Sequence, residues 1–264
     1  SADVNHFHAA GGLGLVMREL LDAGLLHADV STILGKGLDK FLAEPFLEDG
    51  ERAWRESPAS SLDSDIVSTV SEPFDKEGGI RLVEGNLGRA IVKVSAVNPE
   101  HRSIEAPARV FHTQEAFTEA FNAGELERDL VAVLACQGPQ ANGMPELHKL
   151  TPYLGLLQNR GFRVALLTDG RMSGASGKVL AAIQVTPEAV CGGLFAKVRD
   201  GDVIKICSES GILSASAGDD IDARDPHDVD LTPNHVGMGR ELFGAFRRQA
   251  GEAEAGASIF AGAN

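Results

Sequence analysis

Cysteine is scarce in this sequence, and so is positive charge. Cys136, Cys191 and Cys207 are widely spaced, odd in number and form no C-x-x-C pair, so the chain carries no disulfide framework or metal motif of its own. That usage leads us to expect a reducing, cytoplasmic compartment. Lys and Arg number 24 against 38 Asp and Glu, a formal net charge of -14. Nucleic acid and anionic membrane surfaces, which need clustered Lys and Arg, are excluded as partners, whereas a small anionic molecule could still meet a local basic pocket. The longest clean apolar run, Leu130 to Cys136, is about seven residues, far short of a membrane span. An initiator Met is also lacking. "SADVNHFHAAGG" runs straight into helical patterning, and the expectation is that the chain starts inside a longer protein.

What is present is ordinary for a globular fold, with 43% hydrophobic and 23% charged residues over 264 positions. Leu13, Val16, Met17, Leu20 and Leu21 recur at helical spacing until Gly24, which predicts an amphipathic helix. The polar "SPASSLDSD" at 57–65 is the best candidate boundary, and strands dominate after it. Residues 80–97 read as two strands around a Gly and Asn turn, 108–113 as a third strand, and Gln114 to Asn122 as a helix. "LVAVLAC" and "RVALLT" are continuous apolar runs, the pattern of parallel strands buried on both faces. Between them Leu147, Leu150, Leu154 and Leu157 form one helical face. "VTPEAVCGG" predicts a helix opened by Thr186 and Pro187. A hairpin series with an "RDGD" turn and a final helix from Arg240 to Arg248 follow. The sum is a mixed α/β chain, divided into a helical extension over 1–60, a strand-rich domain over 61–250 and a flexible tail over 251–264.

Two loops rich in glycine follow the two buried runs, "CQGPQANGMPE" at 136–146 and "TDGRMSGASGK" at 168–178. If those strands are parallel neighbours, both loops sit at one edge of the sheet and face one cleft. Glu146 reads either as a carboxylate near a helix start or as an oxygen ligand for a hard cation. Ser173 reads either as a loop hydroxyl or as a base or nucleophile that needs activation, with no G-x-S-x-G elbow behind it. Arg171, Lys178, His148 and Lys149 could hold an anion or could be solvated surface charge. Ser176 and its flanking glycines could present amides to a carboxylate or phosphate, without the spacing of a nucleotide P-loop. His6 and His8 make a weak metal pattern.

Taken together, "CQGPQANGMPELHKLTPYLG", "VALLTDGRMSGASGKVLAAIQVTPEA", "GGLFAKVRDGD", "DVNHFHAAGG", "RELLDAGLLH" and "GNLGRAIVKVSAV" closely resemble the dihydroxy-acid dehydratase and phosphogluconate dehydratase family over nearly the whole chain. "NGMPELHKL" and "SGASGKV" are similar to the 6-phosphogluconate-specific members of the Entner-Doudoroff pathway. The resemblance implies a β-barrel-like swivelling domain, similar to the mobile domain of aconitase, with surrounding helices and an N-terminal helical extension. It implies a hydro-lyase removing water from a sugar acid, here 6-phospho-D-gluconate, to give 2-dehydro-3-deoxy-6-phosphogluconate. An iron-sulfur cluster acting on the C3 hydroxyl and a divalent cation, magnesium, are implied as cofactors. By residue matching, Ser173 would be the base at C2 and Glu146 a cation ligand, while Arg171, Ser176, Lys178 and His148 would bind substrate.

The family's cluster cysteines belong to an N-terminal domain, and Cys136, Cys191 and Cys207 do not match them. The resemblance therefore implies that these residues alone neither hold the cluster nor turn over, that the N-terminal domain is a partner, and that the enzyme is a homodimer or higher homo-oligomer. Two other readings stand beside this one: a dihydroxy-acid or aldonic-acid dehydratase of the same family, and a non-catalytic binding or assembly module.

Overall fold

The computed structural model describes residues 2–172 and 177–260, and the chain divides into two compact units, residues 1–78 and 79–264. In the first unit, helix α1 (Val4–Ala9) is opened by Asp3, whose carboxylate accepts from the Asn5 and His6 backbone N–H groups while the His6 ring faces back to it. Helix α2 (Gly12–Asp22) buries Leu15, which packs with Ala10 and Val67. The helical pattern gives way to two antiparallel hairpins, β1 (Ser31–Thr32) with β2 (Gly35–Lys36) and β3 (Ala43–Glu48) with β4 (Glu51–Glu56). Arg18 donates to the carbonyls of Ser57 and Pro58, pinning the start of the polar stretch onto α2.

The second unit is built on eight strands. In chain order these are β5 (Ile80–Gly85), β6 (Gly88–Lys93), β7 (Ser103–Phe111), β8 (Leu130–Leu134), β9 (Val164–Thr168), β10 (Leu180–Thr186), β11 (Val203–Cys207) and β12 (Ile212–Ser216). They close into a barrel in the order β10-β6-β5-β12-β11-β7-β8-β9. Helix α3 (Gln114–Asn122), with Thr113 capping it through a bond from the Ala116 N–H, joins β7 to β8. Short α4 (Pro139–Asn142) and longer α5 (Leu150–Asn159) join β8 to β9. Helices α6 (Thr232–His235) and α7 (Gly244–Gln249) lie in the C-terminal segment.

The unbroken apolar runs follow from two separate cores. Val131, Val133, Ala165 and Leu167 point into the barrel with Val83, Val92, Ile104 and Ile206. Their neighbours Leu130, Ala132, Leu134, Val164 and Leu166 point outward against Phe117 of α3 and Leu150, Leu154 and Leu157 of α5. Every residue of β8 and β9 is therefore buried, and alternation vanishes from the sequence. The expected leucine face of α5 is buried throughout, and Pro152 sits in its first turn, where its missing N–H costs nothing.

Two local expectations fail. "VTPEAVCGG" does not form a regular helix. It holds a single 3-10 turn, Ala189–Cys191, because Gly192 and Gly193 both take positive φ and end it. The predicted final helix is divided into a 3-10 turn, Arg240–Phe243, and α7. Arg199 to Asp202 turn the chain into β11, and the hairpin itself is β11 with β12. Residues 251–260 run back toward β10, where Glu254 pairs with Arg89 of β6 at 2.5 Å.

The turn between β5 and β6 is the tightest joint of the barrel. Gly85 and Gly88 pair across a two-residue loop, and the Asn86 amide both donates to the Ala215 carbonyl and accepts from the Ala215 N–H, at 2.8 Å each. Gly88 has φ +105°, and a Cβ there would enter the Thr186 carbonyl oxygen. Gly88→Ala should therefore destabilise the chain by about 2 kcal/mol or more. Urea unfolding measures this, and a midpoint equal to wild type would show that the joint can shift.

Candidate active site

Strands β7, β8, β9 and β10 run parallel to one another, with Leu134 in register with Thr168. Their C-terminal ends therefore deliver four segments to one end of the barrel: His112, Cys136 to Gly138, Asp169 to Arg171, and Pro187 to Glu188. The two glycine-containing loops are brought together there, as the parallel arrangement requires.

Asp169 ties this end. Its side chain is fully buried and accepts from the backbone N–H groups of Gln137 at 2.8 Å, Ala189 at 3.0 Å and Cys136 at 3.2 Å, so one carboxylate joins the ends of β8, β9 and β10. Burial pushes its pKa up to about 6, against the pull of the Ala189 and Gln137 N–H groups and with added repulsion from Glu188. Glu188, also buried, accepts from the N–H groups of Gln140 at 3.0 Å and Ala141 at 3.2 Å, fixing the start of α4. Burial raises its pKa as well. Gly138 must lack a side chain because a Cβ would meet the Glu188 carboxylate, and a Cβ on Gly170 would come within 2.8 Å of both Gln137 and Leu147. The Gln137 amide spans outward, donating to the His112 carbonyl at 2.9 Å and accepting from Asn142 at 2.9 Å.

Further out, the two loops zip together. Glu146 and Arg171 form a parallel bridge, and the Leu147 N–H donates to the Arg171 carbonyl at 3.2 Å. The Arg171 guanidinium donates to the Glu146 carboxylate at 2.9 Å and, through Nε, to the Met144 carbonyl at 2.8 Å. The other carboxylate oxygen of Glu146 accepts from the His148 N–H at 3.1 Å and lies 3.7 Å from its ring. Three of the sequence candidates are thus brought together, with Glu146 contacting both Arg171 and His148. Lys149 and Lys178 are exposed, the latter with its carbonyl accepting from Gln158. Ser173 and Ser176 lie outside the described residues. His6 is engaged by Asp3 at 2.8 Å in the capping of α1.

Asp169, Glu188 and Gln137 escaped the sequence reading. Their signal was a charged or amide residue placed within three positions of the end of a largely buried strand, where an unpaired polar group would be costly.

The donor set does not suit an iron-sulfur cluster. Cys136 and Cys207 are buried and Cys191 is exposed, no three His, Cys, Asp or Glu side chains are arranged to hold a metal ion among the described residues, and burial with the nearby Asp169 and Glu188 charges pushes the Cys136 thiol up to about 12. Glu146 has the oxygen chemistry of a single ligand to a hard cation.

Asp169→Asn would turn an NH2 group toward backbone N–H donors and should cost about 2 kcal/mol. Because the folded value near 6 lies above the ordinary 3.8, the protonation-linked part of the stability is full below about pH 4 and is lost as pH rises through 6, while the three N–H bonds to the carboxylate remain. Urea unfolding from pH 4 to 7.5 should show that decline in wild type and a flatter profile in Asp169→Asn. Equal slopes would contradict it.

Residues 65–257 match the family model described as dihydroxy-acid/6-phosphogluconate dehydratase C-terminal, and residues 1–41 match the corresponding N-terminal model. A phosphogluconate dehydratase of Pseudomonas aeruginosa is 57% identical over 260 residues, covering 98% of this chain and 43% of that protein. One from Escherichia coli is 54% identical, covering 97% of this chain and 43% of that protein. A dihydroxy-acid dehydratase of Caldanaerobacter subterraneus is 36% identical over 207 residues, covering 77% and 34%. The chain spans less than half the length of these relatives. It belongs to the dihydroxy-acid/6-phosphogluconate dehydratase family.

Proposed function

We propose that the chain is the barrel-bearing part of a phosphogluconate dehydratase, a hydro-lyase that converts 6-phospho-D-gluconate to 2-dehydro-3-deoxy-6-phosphogluconate in the Entner-Doudoroff pathway. The observation that carries this reading is the zipped pair of loops at the parallel strand ends, Glu146 on one and Arg171 on the other, in a chain 57% identical to a protein of that name. Its partner is the N-terminal portion that the relatives possess, and the assembly is a cytoplasmic homo-oligomer.

In the reaction the C2–H and C3–O bonds break, water leaves, and the resulting enol tautomerises to the 2-keto acid. Ser173 Oγ, which follows directly on the Arg171 and Met172 segment, takes the C2 proton. Arg171, whose Nε and Nη1 donate to the Met144 carbonyl and the Glu146 carboxylate, would hold an anionic oxygen through its remaining guanidinium donors. His148, Ser176 and Lys178 complete the contacts to the polyhydroxy acid. Glu146 would hold one position of a magnesium ion, which when bound would fix the carboxylate end of the substrate. No step is assigned to the iron-sulfur cluster through residues of this chain.

The test uses the full-length enzyme, purified without oxygen and matched for cluster content. Ser173→Ala should lower kcat on 6-phosphogluconate by about 10²- to 10⁴-fold, the range expected for loss of a general base. Near-wild-type turnover would remove Ser173 from the mechanism. Parallel assays on gluconate and on a branched dihydroxy acid should give far lower kcat/KM, and a preference for the branched acid would move the enzyme to the dihydroxy-acid branch of the family.

A further inference from the structure

An open cavity of about 470 Å³ lies between the loop that follows α4 and the C-terminal segment. Met144 and Pro145 form one wall, and the chain passes directly from them to Glu146. The facing wall carries Arg240, Phe243, Phe246 and Arg247. The cavity therefore borders the zipped loops, and the Arg171 side chain bonds the carbonyl of its own wall residue Met144.

Its charge runs against that of the molecule. In a chain of net charge -14, several arginines of this unit meet carboxylates: Arg89 with Glu254, Arg109 with Asp200, Arg160 with Glu127 and Arg224 with Asp202. Arg240 and Arg247 form no ion pair among the described residues. Arg240 donates to the Asn234 carbonyl at 3.4 Å, and Arg247 to the Arg240 carbonyl at 3.2 Å. Each guanidinium has five N–H donors, so most of both forks remain available. The acidic neighbour Glu241 accepts from the Gly237 N–H at 2.8 Å and is also attracted by the Arg247 charge, so it offsets part of the positive field. Arg248 does not line the cavity but lies close to Arg247: a Cβ on Gly244 would be 3.3 Å from Nη1 of Arg248 and 3.8 Å from Nη2 of Arg247.

We propose that Arg240 and Arg247 form the recognition site for the phosphomonoester end of the substrate, which makes this cavity the determinant of a phosphorylated over an unphosphorylated sugar acid. A dianionic phosphate offers three oxygens to two planar forks, and charge-assisted, bidentate contacts of this kind are the strong ones. A ligand whose carboxylate end lies at Arg171 and Glu146 would extend its far end along Met144 and Pro145 into this cavity. The inference rests on the proposed dehydratase reading for the identity of the ligand, though not for the existence of the anion site.

Two measurements separate these. This chain is titrated calorimetrically with inorganic phosphate, 6-phosphogluconate and gluconate, as wild type, Arg240→Gln, Arg247→Gln and the double variant, with the exposed Arg128→Gln as a control for net charge. Thermal unfolding verifies that each variant is folded. The double variant should weaken phosphate and 6-phosphogluconate at least tenfold and leave gluconate unchanged, while Arg128→Gln binds as wild type. No phosphate binding by wild type, an unchanged affinity in the double variant, or an equal loss in Arg128→Gln overturns the site. In the full-length enzyme the double variant should raise KM for 6-phosphogluconate at least tenfold with kcat nearly kept. Absence of dehydratase activity in wild type would defeat the functional reading while the phosphate titration still decides the anion site.

Discussion

A single buried carboxylate organises the working end of this barrel. Asp169 accepts N–H groups from Cys136, Gln137 and Ala189, so the ends of three adjacent parallel strands are bound to one side chain. Backbone groups at strand ends have no ladder partner, and leaving them buried and unpaired would cost more than the net worth of the bonds themselves. Glycine at 138 and 170 follows from this closeness, because both positions touch the side chains that do the binding. Arg171 and Glu146 then act on loops whose roots are already fixed.

The architecture explains why loops can differ in task without loosening each other. The barrel interior and the helix-covered outer face are separate apolar cores on opposite faces of the strands β7 to β10. Each strand is held from both sides, so side chains at its C-terminal end inherit a rigid origin. The C-terminal segment is fastened to the same end by different means: the Gln140 amide donates to the Ala250 carbonyl, and His235 Nε2 to the Ala141 carbonyl. Those bonds bring Arg240 and Arg247 beside the loop that carries Glu146.

Much of the fold was legible because burial on two faces leaves an unmistakable pattern. "LVAVLAC" and "RVALLT" announced parallel strands, and the leucines from 147 to 157 announced the helix between them. The limits of α3 were also readable, since Thr113 is a good cap and the chain beyond Asn122 turns at Gly124. Closure into a barrel was not readable from pattern, because strand order depends on pairings between distant residues such as Val203 with Pro107. It came from resemblance alone. In the candidate site, Glu146, Arg171 and His148 stood out by residue type. Asp169 and Glu188 did not, because a carboxylate that satisfies backbone N–H groups looks in sequence like any other acidic loop residue. The hairpins at 31–56 were missed because their faces are mostly exposed and carry little apolar alternation.

Cys136 stands at the root of the first loop with a left-handed backbone, φ 62°, and its thiol is buried beside two carboxylates. Peroxides and alkylating agents attack the thiolate, and a group held near 12 is almost wholly protonated at neutral pH. Burial first, and then the same carboxylates that bind the strand ends together, therefore make this sulfur chemically quiet, so oxidative damage has no easy foothold where it would dislodge the loop.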